Sequence, residues 1–185
     1  METIQIAVVI GSLRKDSLNK KLASALSSMA PQEFRFDALR IDDLALYNQD
    51  DDAAPAEPVR RMKTQIAGAQ GLLFVTPEYN RSIPGVLKNA LDHASRPYGQ
   101  NAWAGKPAGV IGASIGAIGT ACAQQHLRTV LAYLDVPVLG QPEAFIHAKQ
   151  GFFDAQGQVA IEDSRKFLQT WMDKYVAFVR QHQSR

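Results

Sequence analysis

The feature that most constrains the fold is a repeated alternation of short apolar runs with longer segments of helical periodicity. The runs are rich in β-branched or bulky apolar residues, and we predict strands at residues 4–10, 34–39, 71–76, 107–114 and 136–141. Apolar residues recur with helical spacing between and after them, and we predict helices at residues 18–30, 55–69, 84–95, 119–134 and 163–181. The chain therefore alternates strand with helix along its length.

Strands that are apolar throughout favour a parallel sheet covered on both faces, because a parallel return between neighbours needs a crossover of about a dozen residues or more. Right-handed crossovers then make the sheet doubly wound. The sequence predicts an α/β fold with a five-stranded parallel sheet, which the strand order 2-1-3-4-5 fits as well as any arrangement. The chain has 185 residues, 46% of them hydrophobic, and we expect a single domain over residues 1–185.

Charge and cysteine content narrow the class of protein. Twenty basic and 18 acidic side chains give a net charge of +2, too even a balance for a nucleic-acid partner but compatible with a small anionic ligand. The lone Cys122 allows no intramolecular disulfide and favours a reducing compartment. The four histidines lack metal-ligand spacing, so we expect no metal. The apolar run at 4–10 is shorter than the roughly 20 residues of a membrane span, so we expect a cytoplasmic protein.

The loop after the first predicted strand is typical of a phosphate-binding segment. Gly11 lets the chain turn, and the donors Ser12, Arg14, Ser17 and Asn19 follow at the start of the next helix. Free backbone N–H groups and the helix dipole attract an anion there, and arginine adds a charge-assisted hydrogen bond. The alternative is that Ser17 is only an N-cap. We favour a phosphate site because a cap needs one such residue and this loop has several.

This loop matches neither common nucleotide fingerprint. It lacks the G-x-x-x-x-G-K-[ST] pattern of the P-loop and the G-x-G-x-x-G pattern of dinucleotide-binding turns. A single phosphate monoester, such as the terminal group of a mononucleotide cofactor, is the better match.

Two further loops follow apolar strands and therefore lie at the same predicted edge of the sheet. In "TPEYNRSIPG" (76–85), two prolines restrict the backbone and Tyr79 offers a flat apolar face, which is typical of a site for a planar ligand. The alternative, that the tyrosine packs on the protein itself, remains open at this point. The loop after the fourth strand carries Ser114 and Gly116, small residues that allow close approach to a ligand but also occur at ordinary helix starts.

The segments "GSLRKDSLN" and "TPEYNRSIPGVLKNALDHASR" resemble the NADPH-dependent FMN reductase family, the flavodoxin-like quinone, azo-dye and chromate reductases. The likeness continues through "GKPAGVIGASIGAIG" and "QQHLRTVLAYLDV", and so covers most of the chain. The resemblance implies a flavodoxin-like fold, FMN as cofactor and NADPH or NADH as reductant. It implies hydride transfer through flavin N5 to small acceptors such as quinones, azo compounds or metal oxyanions, in a homodimer or homotetramer.

The resemblance also implies a set of cofactor-binding residues. Those for the FMN phosphate are Ser12, Arg14, Ser17, Leu18 and Asn19. Those along the isoalloxazine ring are Pro77, Glu78, Tyr79 and Asn80, with Ser114 and Gly116 near its other side. No catalytic side chain is implied, since the cofactor itself accepts the hydride. Arg81 occupies a position that varies within the family, and no role is assigned to it.

Two other functions are compatible with the same topology. A flavodoxin-type electron carrier would bind FMN without oxidising a nicotinamide nucleotide, but such carriers commonly present an acidic surface, and this chain is slightly basic. A regulatory domain would lack flavin altogether. The apolar helix faces at 129–134 and 175–179 indicate either subunit contacts or ordinary core stripes.

Overall fold

A computed structural model describes residues 3–183 of the chain. The strands are β1 (Ile4–Ile10), β2 (Phe34–Ala38), β3 (Gly71–Val75), β4 (Ala108–Ser114) and β5 (Phe145–His147). The α-helices are α1 (Leu18–Met29), α2 (Glu57–Gly68), α3 (Gly85–Ala94), α4 (Ala121–Tyr133) and α5 (Glu162–Gln183). A short 3-10 helix, Gln49–Asp51, lies in the connection that follows β2.

The five strands form one parallel sheet in the order β2-β1-β3-β4-β5, which confirms the predicted topology. In the register of the central strands, Val8 lies opposite Ala38 on one side and Leu73 on the other, and Leu73 lies opposite Gly109. Along the chain, a helix lies between each strand and the next, from α1 between β1 and β2 to α4 between β4 and β5, as a parallel sheet requires.

The hydrophobic core lies on both faces of the sheet because successive strand side chains point to opposite faces. Ile6 and Val8 of β1 pack in a cluster with residues of α1 and α5, whereas Ala7 and Val9 belong to a second cluster built with α2, α3 and α4. Each cluster contains a buried tryptophan. The strands therefore read as continuously apolar in sequence because both of their faces are covered.

The two apolar helix faces have different surroundings. In the 175–179 segment, Tyr175, Val176 and Val179 are buried against the sheet, so this face is a core stripe. In the 129–134 segment, Leu131 is buried but Tyr133 is 83% exposed. Only the second of these segments therefore leaves a large apolar side chain at the surface.

The prediction of a fifth strand at 136–141 is wrong. Val138 makes one isolated parallel bridge to Ala108, beside the start of β4, and the regular fifth strand is Phe145–His147, beside its end. Pro142 lies between the two segments and has no backbone N–H, so it cannot continue a ladder of hydrogen bonds. The segment around Val138 therefore pairs with the start of β4, and Phe145–His147 pairs with its end. The other predicted elements have bounds within two residues of those observed.

The parallel arrangement brings the carboxyl ends of β1, β3 and β4 to one edge of the sheet. The three loops singled out in the sequence leave from this edge and lead into α1, α3 and α4. Within residues 3–183, no helix has the length and apolar character needed to cross a membrane.

Candidate functional site

The three loops enclose an open crevice of about 150 Å³ at the carboxyl edge of the sheet. Its lining residues are Ser12, Arg14, Ser17, Leu18, Asn19, Pro77, Glu78, Tyr79, Ala113, Ser114 and Ile115. A groove on the other side of Glu78 is lined in part by Asn80 and Gly116. All eleven residues singled out in the sequence therefore line one of two adjoining concavities that share Glu78 and Ser114.

The first loop ends in a capped helix. The hydroxyl of Ser17 accepts hydrogen bonds from the backbone N–H groups of Asn19 and Lys20, at 3.2 and 3.3 Å, so Ser17 is the N-cap of α1. Ser12 also lines the crevice, and its hydroxyl makes no hydrogen bond to another group within residues 3–183. A cap therefore accounts for one polar side chain of this loop but not for the other.

The same loop leaves several donors free at the start of α1. Among the described residues, the backbone N–H groups of Arg14, Lys15 and Leu18 find no acceptor, and the exposed guanidinium of Arg14 has no carboxylate within ion-pair distance. Free N–H groups at a helix N-terminus, together with an unpaired arginine, form an environment suited to an anion.

Asn19 has a contact that sequence reasoning did not foresee. Its side-chain amide donates to the carbonyl of Ala113 at 3.0 Å and accepts from the N–H of Ala113 at 2.9 Å, and the residue is 2% exposed. We predicted that this amide would bond a phosphate, whereas the structure shows it bonded to β4 on both of its polar atoms. Asn19 therefore fixes the beginning of α1 against the fourth strand.

The second loop contains a tight hairpin turn. Tyr79 and Ser82 exchange two backbone hydrogen bonds of 3.0 Å, and the central residues Asn80 and Arg81 have φ values of 51° and 65°. Positive φ at both central positions is typical of a type I′ turn, which usually contains glycine or asparagine. Tyr79 is 46% exposed beside the crevice, so it is not fully packed on the protein.

The side chain of Glu78 connects this turn to α4. Its carboxylate accepts a hydrogen bond from the backbone N–H of Ala123 at 3.0 Å and pairs with the guanidinium of Arg81 at 3.4 Å. The side chain is 7% exposed. Arg81, to which the sequence assigned no role, therefore serves as the counter-ion of a nearly buried carboxylate.

The third loop contributes the remaining wall. Ser114 accepts a hydrogen bond from the N–H of Gly116 at 3.1 Å, and the carbonyl of Ile115 lies 3.1 Å from Nε2 of His147 in β5. The side chain of Ile115 is largely exposed at the edge of the crevice. The third-loop wall therefore has an apolar side chain at its edge, and hydrogen bonds to its backbone hold it in place.

Sequence reasoning missed several residues that shape the crevice. Ala113 and Ile115 line it directly. Gly112 allows the second and third loops to approach, because a Cβ at this position would lie 2.1 Å from the carbonyl oxygen of Thr76 and 2.3 Å from the hydroxyl oxygen of Thr120. A glycine inside a predicted strand is a signal for close backbone approach, and it could have drawn attention to this position.

The fold and the crevice together define a class of protein. Free donors at the N-terminus of α1 suit a phosphate, and an exposed tyrosine and an isoleucine border the crevice, as expected for a planar group. Ligands of doubly wound sheets bind outside the carboxyl ends of the strands, where this crevice lies. The protein is thus a mononucleotide-binding α/β protein of the flavodoxin-like type.

Comparison with known proteins gives the family. The sequence profile of the NADPH-dependent FMN reductase family matches residues 4–151. A 2-hydroxy-1,4-benzoquinone reductase from a Burkholderia species is 60% identical over 177 residues, 96% of this chain and 97% of that protein. A quinone reductase from Pseudomonas putida is 46% identical over 180 residues, 97% of this chain and 96% of that protein. The chain belongs to the NADPH-dependent FMN reductase family.

A solved structure agrees with this assignment. FerB, a flavoenzyme NAD(P)H:(acceptor) oxidoreductase from Paracoccus denitrificans, superposes with a TM-score of 0.93 at 46% sequence identity. The match covers 97% of this chain and 99% of that chain. The likeness thus extends over nearly the whole fold.

Proposed function

We propose that this protein is an FMN-dependent oxidoreductase that takes a hydride from NADPH or NADH and reduces quinones. The observation that carries the proposal is the set of free donors at the start of α1. These donors lie beside the crevice that Tyr79 and Ile115 border, in a chain of the FMN reductase family. Two relatives, at 60% and 46% identity, are named as reductases of a quinone.

The first loop holds the FMN phosphate in this proposal. Ser12 supplies a hydroxyl at the crevice, Arg14 supplies a charge with no ion-pair partner within residues 3–183, and Leu18 supplies a free N–H. Ser17 and Asn19 act differently, because the first caps α1 and the second fixes α1 to β4. These residues fit a phosphate monoester by their chemistry, since a guanidinium, a hydroxyl and backbone N–H groups can all donate to its oxygens.

The second and third loops hold the isoalloxazine ring. The ring would lie along Pro77, Glu78, Tyr79 and Asn80, with Ser114 and Gly116 near its other side, as rigid loops on a scaffold commonly hold ligands. When bound, FMN supplies a ring that accepts a hydride from the nicotinamide and passes electrons to the acceptor. The chain's own residues bind and orient the reactants, and we assign no acid-base side chain.

An anaerobic spectral titration tests the function. We expect the purified protein to be yellow, to bleach when NADPH or NADH is added without oxygen, and to recover its colour on addition of a quinone. A protein that binds flavin but stays oxidised with the nucleotide alone would be an electron carrier, and a protein that cannot be loaded with FMN would be a regulatory domain.

We also propose that the protein forms a homodimer or homotetramer through the groove between α3 and α4. The groove has a volume of about 510 Å³, and Tyr133, which lines it, is 83% exposed. Leu46, next to the groove-lining residue Tyr47, is also largely exposed. Large exposed apolar side chains around one groove are typical of subunit contacts.

Light scattering after gel filtration measures this assembly. We expect Tyr133→Asp to lower the molar mass towards that of one chain, whereas Ile161→Asp, which changes an exposed apolar residue that does not line the groove, leaves the mass unchanged. An unchanged mass for Tyr133→Asp would contradict the proposed interface.

We place the enzyme in the cytoplasm. The support is the single cysteine, Cys122, which has no cysteine partner in the sequence, as is common where thiols are kept reduced. Expression with a fluorescent tag, followed by cell fractionation, tests this assignment.

A further inference from the structure

We propose that Glu78 is a positioning residue whose side chain holds the two walls of the flavin crevice at a set separation. The inference rests on the proposed function, since it concerns how the crevice is kept in shape for FMN. It follows from the contacts of the carboxylate, whose two oxygens bond to different walls.

One oxygen of Glu78 acts on the third-loop wall through α4. The N-cap residue of this helix, Thr120, makes no side-chain cap, because its hydroxyl accepts a hydrogen bond from the amide of Gln124 instead. The first turn of α4 also contains no acidic residue. Oε2 of Glu78 accepts from the N–H of Ala123 and so caps the helix from a loop 45 residues away in sequence. A carboxylate is favourable there because it also faces the positive end of the helix dipole.

The other oxygen acts on the second-loop wall. Oε1 of Glu78 lies 3.4 Å from Nη1 of Arg81, one of the two central residues of the Tyr79–Ser82 turn. Arg81 is neither glycine nor asparagine, so its left-handed conformation costs free energy, which the contact with Glu78 helps to offset. The hydroxyl of Ser82 gives a second link to α4, at 3.0 Å from Nδ1 of His126.

Burial of the Glu78 carboxylate makes its two contacts important for the stability of the crevice. The Glu78 side chain is 7% exposed, and a buried carboxylate is stable only when hydrogen bonds and charge compensate for its lost hydration. The two compensating groups belong to the elements next to the crevice walls: Ala123 lies in the first turn of α4, which follows the third loop, and Arg81 lies in the hairpin turn of the second loop. Removing the carboxylate therefore releases both walls at once, although the side chain itself need not contact the flavin.

Binding of FMN to the apoprotein measures the effect, by quenching of flavin fluorescence. We expect Glu78→Ala to raise the Kd for FMN about tenfold, the value expected for loss of a charged hydrogen bond. Glu78→Gln should raise it less, because an amide oxygen still accepts from the N–H of Ala123. The matched control is Asp43→Asn, which removes a carboxylate paired with Arg61 at 2.8 Å outside the crevice and should leave the Kd unchanged.

Hydrogen exchange of the apoprotein distinguishes a Glu78 that supports both walls from a Glu78 that only caps α4. In Glu78→Gln we expect faster exchange at the amides of Tyr79 and Ser82, which bond within the turn, even though the cap of α4 is retained. If Glu78→Ala does not fold, Glu78→Gln carries both measurements. Exchange that changes only in the first turn of α4, or FMN affinity equal to that of the unchanged protein, would overturn the inference. If the unchanged protein itself does not bind FMN, the proposed function fails, and the exchange data still decide whether Glu78 couples the walls.

Discussion

Replacing Arg14 by alanine is the most direct test of the phosphate site. Arg14 lines the crevice, its side chain is exposed, and it has no ion-pair partner within residues 3–183. The guanidinium is therefore available to a bound anion without first breaking an internal salt bridge. Lys15 provides a matched control, because it carries the same charge in the same loop, is also exposed, and does not line the crevice.

The expected magnitude follows from charge and exposure. Two unit charges about 4 Å apart interact by about 1 kcal/mol in a water-like medium. A phosphate monoester carries roughly 1.5 to 2 negative charges at neutral pH, so Arg14 is worth about 2 kcal/mol of binding free energy. That energy corresponds to about a 30-fold rise in the Kd for FMN in Arg14→Ala. For Lys15→Ala we expect a rise of less than about threefold, since solvent and salt screen a charge outside the crevice.

The assay is titration of each apoprotein with FMN at two salt concentrations. Screening weakens an exposed ion pair, so the ratio of the Arg14→Ala Kd to that of the unchanged protein should fall as salt is raised. Riboflavin, which lacks the phosphate, should bind the two proteins equally. Equal Kd values for Arg14→Ala and Lys15→Ala, or a loss of riboflavin binding as large as that of FMN, would refute the assignment of the phosphate to this loop.

Three further substitutions test the fold around the site. Gly112→Ala should raise the Kd for FMN and lower the midpoint of urea unfolding, because its Cβ would lie 2.1 Å from the backbone oxygen of Thr76. Tyr175→Phe should lower the free energy of unfolding by about 1 to 2 kcal/mol without changing FMN affinity, since the hydroxyl hydrogen-bonds the Leu72 carbonyl at 2.8 Å on the far side of the core. A hydrogen bond from Arg61 lowers the pKa of Asp43, so the ionised carboxylate stabilises the fold above its unfolded pKa of about 4. Asp43→Asn should therefore lower the melting temperature at neutral pH, and the difference should begin to shrink as the pH falls below about 4 and vanish once the pH is below the lowered pKa of the folded state.

Sequence patterns were sufficient for most of the architecture because the signals are local. Apolar runs buried on both faces and helices with one apolar face are visible within windows of about ten residues. The fifth strand was misplaced because its location depends on pairing with β4 rather than on its own composition. The segment containing Val138 is the longer apolar run, yet regular pairing is found only at Phe145–His147.

In the crevice, too, the features that depend on neighbouring residues could be predicted from the sequence, whereas contacts between distant residues could not. A strand end followed by hydroxyls, a cation and a helix start predicts an anion site from adjacent residues alone, and the structure brings these residues to one crevice. The contact of Asn19 with Ala113 joins residues 94 positions apart, and that of Glu78 with Ala123 joins residues 45 positions apart. No local pattern marks either pair.

The sequence by itself determined the alternating α/β architecture and the strand ends that carry polar donors, because periodicity and turn chemistry act between near neighbours in the chain. Only the tertiary structure decided which of those donors stay free and which are used to join α1 to β4 or the hairpin turn to α4. The physical reason is that a polar group buried in a folded protein must bond whatever packing places beside it, and packing brings together residues that are distant in sequence.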